Sequence, residues 1–286
     1  MDVIRGAREL RARTDAARAG DDEVALVPTM GALHEGHRSL IRRARRARTT
    51  VVVTIFVNPR QFSDAADLTA YPRDEPRDLE VCEELGADVV WAPPTDEVYP
   101  PGVELPSPDA GHVGDRFEGA SRPGHLEGVL TVVRRLFDVT GPCTAFFGEK
   151  DAQQLFLVKR MVEREALPVE MVSCPTIREP DGLALSSRNV LLQPEEREQA
   201  GCLFLALGEA AELVGRGERD PRTLVAAMAR EIGATRLARL DYAAVIDDRT
   251  FDVPDHLEPE MRARALVAVR FPSARLIDNL RLPSVT

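Results

Sequence analysis

Short apolar segments alternate with longer segments of helical periodicity along the first part of the chain. The run TVVVTIFV at residues 50–57 is unbroken and rich in β-branched side chains, as expected for a strand covered on both faces. Further strands are predicted at residues 23–27, 89–92, 144–147 and 169–174, and helices at residues 3–19, 37–48, 79–85, 129–139 and 153–165. Because strands that alternate with helices form parallel β-α-β units, the pattern predicts an α/β fold with a doubly wound parallel sheet.

The pattern changes after residue 176. The elements predicted there are a long helix over residues 195–214, the polar turn RGERD, a second helix, and strands at residues 241–246 and 265–270. They indicate a smaller C-terminal α+β domain over residues 177–286, which leaves residues 1–176 as the first domain. Residues 93–108, rich in proline, are predicted to form a loop.

Composition indicates a soluble cytosolic protein with a packed core. Of the 286 residues, 44% are hydrophobic and 29% are charged. The longest apolar run, at residues 51–57, is far shorter than the ~20 residues that a membrane helix needs, and the charged N-terminus MDVIRGAREL is unlike a secretory signal. The net charge of -10 argues against nucleic acid as a partner. Arginines concentrated in the helix at 37–48 are therefore interpreted as a solvated face.

The four cysteines lie far apart in the sequence, at Cys82, Cys143, Cys174 and Cys202. None of them belongs to a C-x-x-C pair, which argues against a zinc ribbon. In the reducing compartment expected for this chain, these residues are predicted to be buried thiols rather than disulfides.

Residues 27–37, VPTMGALHEGH, join a predicted strand to a predicted helix through a turn. This layout is typical of phosphate-binding crossovers, because main-chain N–H groups at a helix start attract an anion. Gly31 and Gly36 would let the backbone approach a ligand closely. His34 and His37 would lie near the helix start, where an imidazole can donate a hydrogen bond to a phosphate oxygen.

Two other interpretations of this stretch stay open on its residues alone. The H-x-x-H spacing of His34 and His37 could bind a metal ion, although it supplies only two ligands and no third Cys or His cluster accompanies it. The stretch could also be an ordinary structural turn. The motif is too short to decide between these alternatives by itself.

Residues 147–151, FGEKD, lie between a predicted strand and a predicted helix. That position is the carboxyl edge of the sheet, where open parallel sheets bind ligands. Lys150 can reach a phosphate as a point charge, and Asp151 can accept hydrogen bonds from ribose hydroxyls. A surface turn is the alternative explanation.

Residues 182–189, GLALSSRN, combine two hydroxyl groups with a guanidinium. Ser186 and Ser187 can donate hydrogen bonds to a triphosphate, and Arg188 can offset the charge that grows on a leaving pyrophosphate. The alternative is a helix N-cap followed by a turn.

Six motifs together resemble one family. They are VPTMGALHEGH (27–37), IFVNPRQF (55–62), AYPRD (70–74), RPGHLEGVLTVV (122–133), FFGEKDAQQL (146–155) and DGLALSSRN (181–189), with a weaker match at LIDN (276–279). In order and spacing they resemble the pantothenate synthetases, or pantoate–β-alanine ligases, of the HIGH-type nucleotidyltransferase superfamily. The resemblance implies a Rossmann-like doubly wound parallel sheet, which binds nucleotide and pantoate, and a smaller C-terminal α+β lid domain.

The resemblance implies an ATP-dependent ligase of coenzyme A precursor biosynthesis. The carboxylate of (R)-pantoate would attack the α-phosphate of ATP, and the amine of β-alanine would then attack the resulting pantoyl adenylate, giving pantothenate, AMP and diphosphate. Because charge develops on phosphate oxygens, the protein would act by positioning and electrostatic stabilisation. The resemblance further implies Mg²⁺ held mainly by the phosphates, and a cytoplasmic homodimer without nucleic-acid or membrane partners.

The resemblance also assigns roles to individual residues, none of them a metal ligand. The implied ATP-binding residues are Met30, Gly31, Ala32, Leu33, His34, Glu35, Gly36, His37, Gly148, Glu149, Lys150, Asp151, Ile177, Leu185, Ser186, Ser187 and Arg188. The implied catalytic residues are His34, His37, Lys150, Ser186, Ser187 and Arg188. The implied substrate-binding residues are Gln61, Gln154 and Asn58, with Gln61 also near β-alanine. His37 is interpreted as a transition-state stabiliser, since attack by a carboxylate removes no proton.

Three positions depart from the family's usual pattern. Ala152 replaces a common aromatic residue, Leu126 a common phenylalanine, and Arg135 a common lysine. The first two are expected to loosen packing behind the pantoate pocket, and none removes a proposed catalytic group. The acidic stretch at residues 74–78 could contact Mg²⁺, but it matches nothing firmly enough to be assigned.

Three other functions compete with the ligase. A different HIGH-type adenylyl- or cytidylyltransferase would keep the nucleotidyl group on its product and would need basic side chains in the acceptor pocket, where Gln61 and Gln154 are expected. A non-catalytic nucleotide-binding regulator would bind ATP without releasing pyrophosphate. A metal-dependent hydrolase would require a metal held by the histidines.

Overall fold

The computed structural model describes residues 1–62 and 65–284, and it divides into two compact units. The first unit comprises Met1–Glu149 and Gln153–Pro175, and the second comprises Lys150–Ala152 and Thr176–Thr286. The short segment Lys150–Ala152 therefore belongs to the C-terminal unit, although the N-terminal unit surrounds it in the sequence. Throughout the described ranges, no helix combines the length and the apolar character needed to cross a membrane.

The first unit is built on a six-stranded parallel sheet with flanking helices. Its strands are β1 (Asp2–Ile4), β2 (Val24–Thr29), β3 (Thr50–Ile55), β4 (Val89–Trp91), β5 (Cys143–Gly148) and β6 (Val169–Cys174). The helices that alternate with them are α1 (Ala7–Ala19), α2 (Glu35–Ala47), α3 (Ala65–Ala70), α4 (Glu75–Glu84), α5 (Thr95–Val98), α6 (Gly111–Gly114), α7 (Glu118–Ser121), α8 (His125–Thr140) and α9 (Ala152–Arg164). The strand order is β1-β4-β3-β2-β5-β6, which confirms the predicted doubly wound, Rossmann-like α/β fold.

The central strands are apolar because both faces of the sheet are covered. Val51, Val52 and Val53 in β3 are fully buried, and Val52 pairs with Leu26 in β2 and with Val89 in β4. The strand order reverses at β2, which has β3 on one side and β5 on the other. The carboxyl ends of β2 and β5 therefore meet at the switch point, where open parallel sheets bind ligands.

The helix predicted over residues 3–19 is wrong at its start. Asp2–Ile4 form the edge strand β1, which pairs in parallel with Val89–Trp91, and the helix begins only at Ala7. Gly6, in an extended conformation, separates the two elements. A strand of three residues is too short for periodicity to distinguish it from a first helical turn.

The second unit packs helices against a three-stranded antiparallel sheet, which confirms the predicted smaller α+β domain. Its helices are α10 (Pro194–Gln199), α11 (Cys202–Gly215) and α12 (Pro221–Gly233), and its strands, in the order β7-β8-β9, are β7 (Arg239–Asp247), β8 (Ala263–Arg270) and β9 (Arg275–Arg281). Buried Leu203, Leu224 and Val267 belong to its apolar core.

Two features of this unit differ from the prediction. The single helix over residues 195–214 is interrupted at Ala200 and Gly201, where a Cβ on the glycine would come within 3.3 Å of the Asp181 carbonyl oxygen. The strand β9 is missing from the predicted elements, because two of its buried residues, Asp278 and Asn279, are polar and disguise the apolar alternation.

Most of the arginines in and directly after α2 form ion pairs on the protein's own surface. The pairs are Arg38 with Glu35 and Glu84, Arg42 with Glu35, Arg45 with Asp88, and Arg48 with Glu23 and Glu170. These contacts agree with the interpretation of α2 as a solvated helix face.

All four cysteines are buried thiols, which confirms the prediction. Burial raises the pKa of Cys82 and of Cys143 to about 12. Because the thiolate is the reactive form, such thiols are inert at neutral pH.

Candidate functional site

The chain leaves β2 through a tight turn at residues 30–33. Gly31 and Ala32 both have positive φ angles, +79° and +49°. A Cβ on Gly31 would lie 2.8 Å from the Asp78 carboxylate and 3.2 Å from the side chain of Ile55, so the turn requires glycine there. The turn lies at the switch point of the sheet and delivers the chain into α2.

Asp78 in α4 holds this turn by two hydrogen bonds. Its two carboxylate oxygens accept the main-chain N–H groups of Ala32 and Leu33 at 2.8 and 2.7 Å. The side chain is buried, and burial raises the pKa of Asp78 although the two N–H donors oppose the shift. The acidic stretch at 74–78 has no role assigned by the sequence alone, and Asp74 in it caps α4 by accepting from Arg77. Asp78 lies four residues before the buried Cys82, so both share one face of α4. This spacing could have indicated from the sequence that Asp78 faces inward.

His34 and His37 form a reciprocal cap at the start of α2. The Gly36 N–H donates to His34 Nδ1 at 3.1 Å, and the His34 N–H lies 3.4 Å from His37 Nδ1. Because both Nδ1 atoms accept, each neutral ring carries its hydrogen on Nε2. The ring centroids lie 4.1 Å apart, so the structure brings together two imidazoles with Nε2–H donors at a helix N-terminus. Such a pair suits an anion.

The Gln61 side chain joins the loop after β3 to the turn after β2. Its amide nitrogen lies 3.0 Å from the Met30 sulfur, and its amide oxygen accepts from the Asn58 amide at 3.1 Å. The Gln61 main-chain oxygen accepts from His125 Nδ1 at 2.8 Å. Arg122 donates to the other ring nitrogen of His125, which fixes the Nδ1–H tautomer. Gln61 thus contacts both Met30 and Asn58, two other predicted residues.

Asn58 uses its hydrogen-bonding capacity within the protein. Besides Gln61, its amide nitrogen donates to the Gly128 oxygen at 3.0 Å, and its oxygen accepts from the Tyr99 hydroxyl at 2.6 Å and from the Arg60 N–H at 3.2 Å. Burial raises the pKa of Tyr99 to about 12, so the hydroxyl remains a donor at neutral pH. Asn58 thus holds the Gln61 side chain by a hydrogen bond, and Tyr99, which sequence reasoning misses, contacts this predicted site residue.

The predicted residues after β5 fall into both units. Gly148 ends β5, and the Glu149 N–H donates to the Cys174 oxygen at the end of β6. Gln154 is half-buried in the first turn of α9. Lys150 and Asp151 belong to the second unit, where the ammonium lies 3.3 Å from the carboxylate.

Residues 177–185 of the second unit form a tight hairpin. The Leu185 N–H donates to the Ile177 oxygen at 3.0 Å, which brings these two predicted residues together. Gly182, with φ +89°, lies against the Phe204 ring, and a Cβ there would come within 2.1 Å of it. The hairpin therefore requires glycine at this position.

The Ser186 hydroxyl caps the short 3₁₀ helix Ser187–Leu191. It accepts the Arg188 N–H at 3.2 Å, so the N-cap alternative describes the local structure correctly. A serine hydroxyl that accepts one bond can still donate its hydrogen, so the cap does not conflict with phosphate binding. The structure thus places Ser186, Ser187 and Arg188 on one short helical turn.

The three departures from the family pattern have different surroundings. Leu126 is only 2% exposed, whereas Ala152 is half-buried at the start of α9. Arg135 donates to the main-chain oxygens of Val98 and Glu97. Within residues 1–62 and 65–284, no group of three or more His, Cys, Asp or Glu side chains is arranged to hold a metal ion.

Comparisons with known proteins give one consistent result. A family model described as pantoate–β-alanine ligase matches residues 2–281. A pantothenate synthetase of Roseiflexus sp. (strain RS-1) is 51% identical over 280 residues, which are 98% of each chain. The crystal structure of pantothenate synthetase from Thermus thermophilus aligns with a TM-score of 0.91 and 44% identity, covering 99% of this chain and 100% of that one. A Francisella tularensis pantoate–β-alanine ligase, crystallised with β,γ-ATP and β-alanine, aligns with a TM-score of 0.79 and 31% identity over 98% and 97%.

Proposed function

The chain belongs to the pantoate–β-alanine ligase family, and we propose that it condenses (R)-pantoate with β-alanine in an ATP-dependent reaction that releases AMP and diphosphate. The relative crystallised with an ATP compound and β-alanine supports two of these substrates, ATP and β-alanine. The observation in this chain that carries the proposal is the capped histidine pair, because it presents Nε2–H donors at the N-terminus of α2.

The proposed reaction has two steps. A pantoate carboxylate oxygen attacks the α-phosphorus of ATP, a P–O bond forms, and the bond to the departing diphosphate breaks. The β-alanine amine then attacks the acyl carbon of the pantoyl adenylate, the C–N bond forms, AMP leaves with the bridging oxygen, and the nitrogen loses a proton. In the first step charge moves between phosphate oxygens, so donors that are already in place stabilise the transition state.

In the first unit, we assign the nucleotide to Met30–His37, Gly148 and Glu149. His34 and His37 donate to phosphate oxygens through Nε2. Gln61 and Gln154 bind pantoate, whose hydroxyls need partners when they are buried. Asn58 holds the Gln61 side chain in place, as its contacts within the protein indicate.

In the second unit, Lys150 supplies a cationic point charge for the phosphates, and Asp151 accepts from the ribose. Ile177 and Leu185 contact the nucleotide from the hairpin. Ser186 and Ser187 donate to phosphate oxygens, and Arg188 offsets charge on the departing diphosphate. We propose residues 1–176, apart from Lys150–Ala152, as the nucleotide- and pantoate-binding domain, and residues 177–286 together with that segment as the lid domain.

The proposal includes Mg²⁺ as a companion of ATP, bound by phosphate oxygens. Oxygen ligands from the phosphates suit this hard cation, which usually keeps several waters rather than a dedicated all-protein site. We further propose that the enzyme is a cytoplasmic homodimer, as the family resemblance implies.

The proposal is tested by incubating purified protein with D-pantoate, β-alanine and MgATP. We expect one AMP and one diphosphate for each pantothenate formed. A nucleotidyltransferase would instead retain the nucleotidyl group on its product, a regulator would bind ATP without releasing diphosphate, and a hydrolase would need a metal other than Mg²⁺. Any of these outcomes would replace the ligase as the function.

Replacing Asp78 with asparagine is expected to reduce pantoyl adenylate formation about 10-fold. An amide has one oxygen, so the N–H of Ala32 or of Leu33 loses its acceptor and the turn before His34 loosens. Because burial raises the pKa of Asp78, its stability contribution is largest below the unfolded-state pKa and is lost as pH rises through the folded-state pKa. Removing the buried charge therefore offsets part of the stability that is lost with the hydrogen bond. The free energy of unfolding should change by no more than about 1 kcal/mol.

The matched control for Asp78 is Asp74→Asn, at the N-cap of the same helix. Asn caps a helix as well as Asp does, so this variant should keep both activity and stability. Adenylation is measured by pantoate-dependent exchange of diphosphate into ATP, and unfolding by urea titration. Normal exchange in Asp78→Asn would contradict a role for the carboxylate in shaping the turn.

Replacing Gly128 with alanine is expected to raise the KM for pantoate about 10-fold. The new Cβ would lie 2.2 Å from the Arg60 oxygen and 2.9 Å from the Gln61 nitrogen, so the loop that carries Gln61 must move away from α8. Gly208→Ala is the matched control, because nothing lies within 4 Å of a Cβ in the middle of α11. An unchanged KM for pantoate in Gly128→Ala would show that Gln61 does not bind this substrate.

A further inference from the structure

Asn279 on β9 reaches the main chain of Lys150. Its amide nitrogen donates to the Lys150 carbonyl oxygen at 2.7 Å, and its amide oxygen accepts from Arg264 at 2.5 Å. Asn279 is only 4% exposed, and Arg264 is itself held by Asp248 at 2.6 Å. The Asn279 amide is therefore held at its oxygen by the ion-paired Arg264, and its nitrogen holds the backbone of Lys150.

The neighbouring residue, Asp278, ties the same strand to the hairpin at residues 177–185. Arg178 donates to both carboxylate oxygens of Asp278, at 2.5 and 3.0 Å, and also to the main-chain oxygens of Gly182 and Asn279. The Arg178 guanidinium lies 4.6 Å from the centroid of the Phe204 ring. Burial raises the pKa of Asp278, and the guanidinium opposes that shift.

Together these contacts form one polar network, defined as Arg178, Arg264, Asp278 and Asn279. It touches two segments of the second unit that carry proposed nucleotide-binding residues, namely the turn at Lys150 and the hairpin that leads to Ser186. A buried polar network is expensive to desolvate unless every member is paired, and apolar residues would fill the same strand at lower cost. Its polar character therefore calls for an explanation beyond the packing of β9.

We propose that Asn279 is a positioning residue for the adenylation step, acting through the main chain of Lys150. Lys150 carries its ammonium on a flexible stem of four carbons, so the direction of that stem depends on where its backbone is held. The Asn279 amide holds the backbone at its carbonyl oxygen. This role rests on the proposed function of Lys150 as a phosphate ligand. It also assigns a function to Asn279, the last residue of the LIDN motif at 276–279.

The test is a double-mutant cycle on the full-length protein, with diphosphate exchange into ATP as the readout. Asn279→Ala should reduce exchange about 10-fold in the parent background, because a fixed hydrogen bond to Lys150 is lost. In the Lys150→Ala background, the same substitution should change exchange by no more than about twofold, since the side chain that it positions is already absent. An equal reduction in both backgrounds, or none in the parent, overturns the proposal.

Two further variants separate positioning from folding. Asn279→Asp keeps an oxygen for Arg264, replaces the N–H donor to Lys150 with a second oxygen and adds a negative charge beside Arg264, so it should reproduce the loss of Asn279→Ala even if the alanine variant folds poorly. Leu276→Ala, in the apolar core of the same unit, should lower the unfolding temperature and leave exchange per folded molecule unchanged. If Leu276→Ala reduces exchange as much as Asn279→Ala, loosening of β9 explains both and the positioning role is refuted.

The parent protein distinguishes this proposal from the function on which it rests. A parent that forms pantothenate with stoichiometric AMP supports the ligase, and the cycle then decides the role of Asn279 alone. A parent that catalyses no exchange and forms no pantothenate overturns both the ligase function and the positioning role.

Discussion

Replacing His37 with alanine is expected to slow pantoyl adenylate formation about 10²-fold or more. Its Nδ1 faces the His34 main-chain N–H at 3.4 Å, so the neutral ring carries its hydrogen on Nε2, the atom proposed to meet a phosphate oxygen. The developing charge of the adenylation transition state would lose this donor, while the bound substrates would lose less. The measurement is pantoate-dependent exchange of diphosphate into ATP, at saturating pantoate.

Two variants sharpen the test of His37. Glutamine can place an amide N–H near the position of Nε2, so His37→Gln should retain more exchange than His37→Ala. Arg43→Ala, at an exposed position of the same helix, should leave exchange unchanged. Exchange near the parental rate in His37→Ala would reject the imidazole as a transition-state stabiliser, and the turn interpretation of VPTMGALHEGH would then be preferred.

The sequence predicts most of the parallel sheet because strands that are covered by helices on both faces must be apolar throughout, and such runs are visible in the sequence. A strand such as β3 must be apolar on both faces when helices flank the sheet, and the run at residues 50–57 shows this directly. The sheet of the second unit is harder to predict from the sequence, because β9 buries the polar residues Asp278 and Asn279. Polar residues are buried only when partners such as Arg178 satisfy them, and those partners are distant in the sequence.

The same reasoning separates the site residues that are predictable from those that are not. The histidine pair and the serine–arginine turn are recognisable because their members are neighbours in the sequence. The roles of Asp78, Tyr99 and Asn279 are not predictable from their sequence neighbours, since the hydrogen-bond partners Ala32, Asn58 and Lys150 are distant in the sequence. A motif search finds the groups proposed to touch the substrate, whereas the supports behind them appear only when the chain is folded.

Replacing Lys150 with alanine is expected to reduce adenylation about 10²-fold, because the charge that forms on the departing diphosphate loses a cation. Only two of the 37 basic residues, Lys150 and Lys159, are lysines, and the other 35 are arginines. In a chain that uses arginine so widely, lysine at 150 indicates a site that suits a compact ammonium rather than a planar guanidinium. Lys150→Arg should therefore also lose activity, by about 10-fold, although its charge is kept.

Lys159 in α9 provides the matched control for both substitutions at Lys150. Lys159→Ala and Lys159→Arg should leave diphosphate exchange within about twofold of the parent, because neither removes a proposed phosphate ligand. The four variants are compared by exchange rate at saturating ATP and by the KM for ATP. Full activity in Lys150→Arg would show that any cation suffices at this position, and full activity in Lys150→Ala would remove Lys150 from the phosphate site and, with it, the role inferred for Asn279.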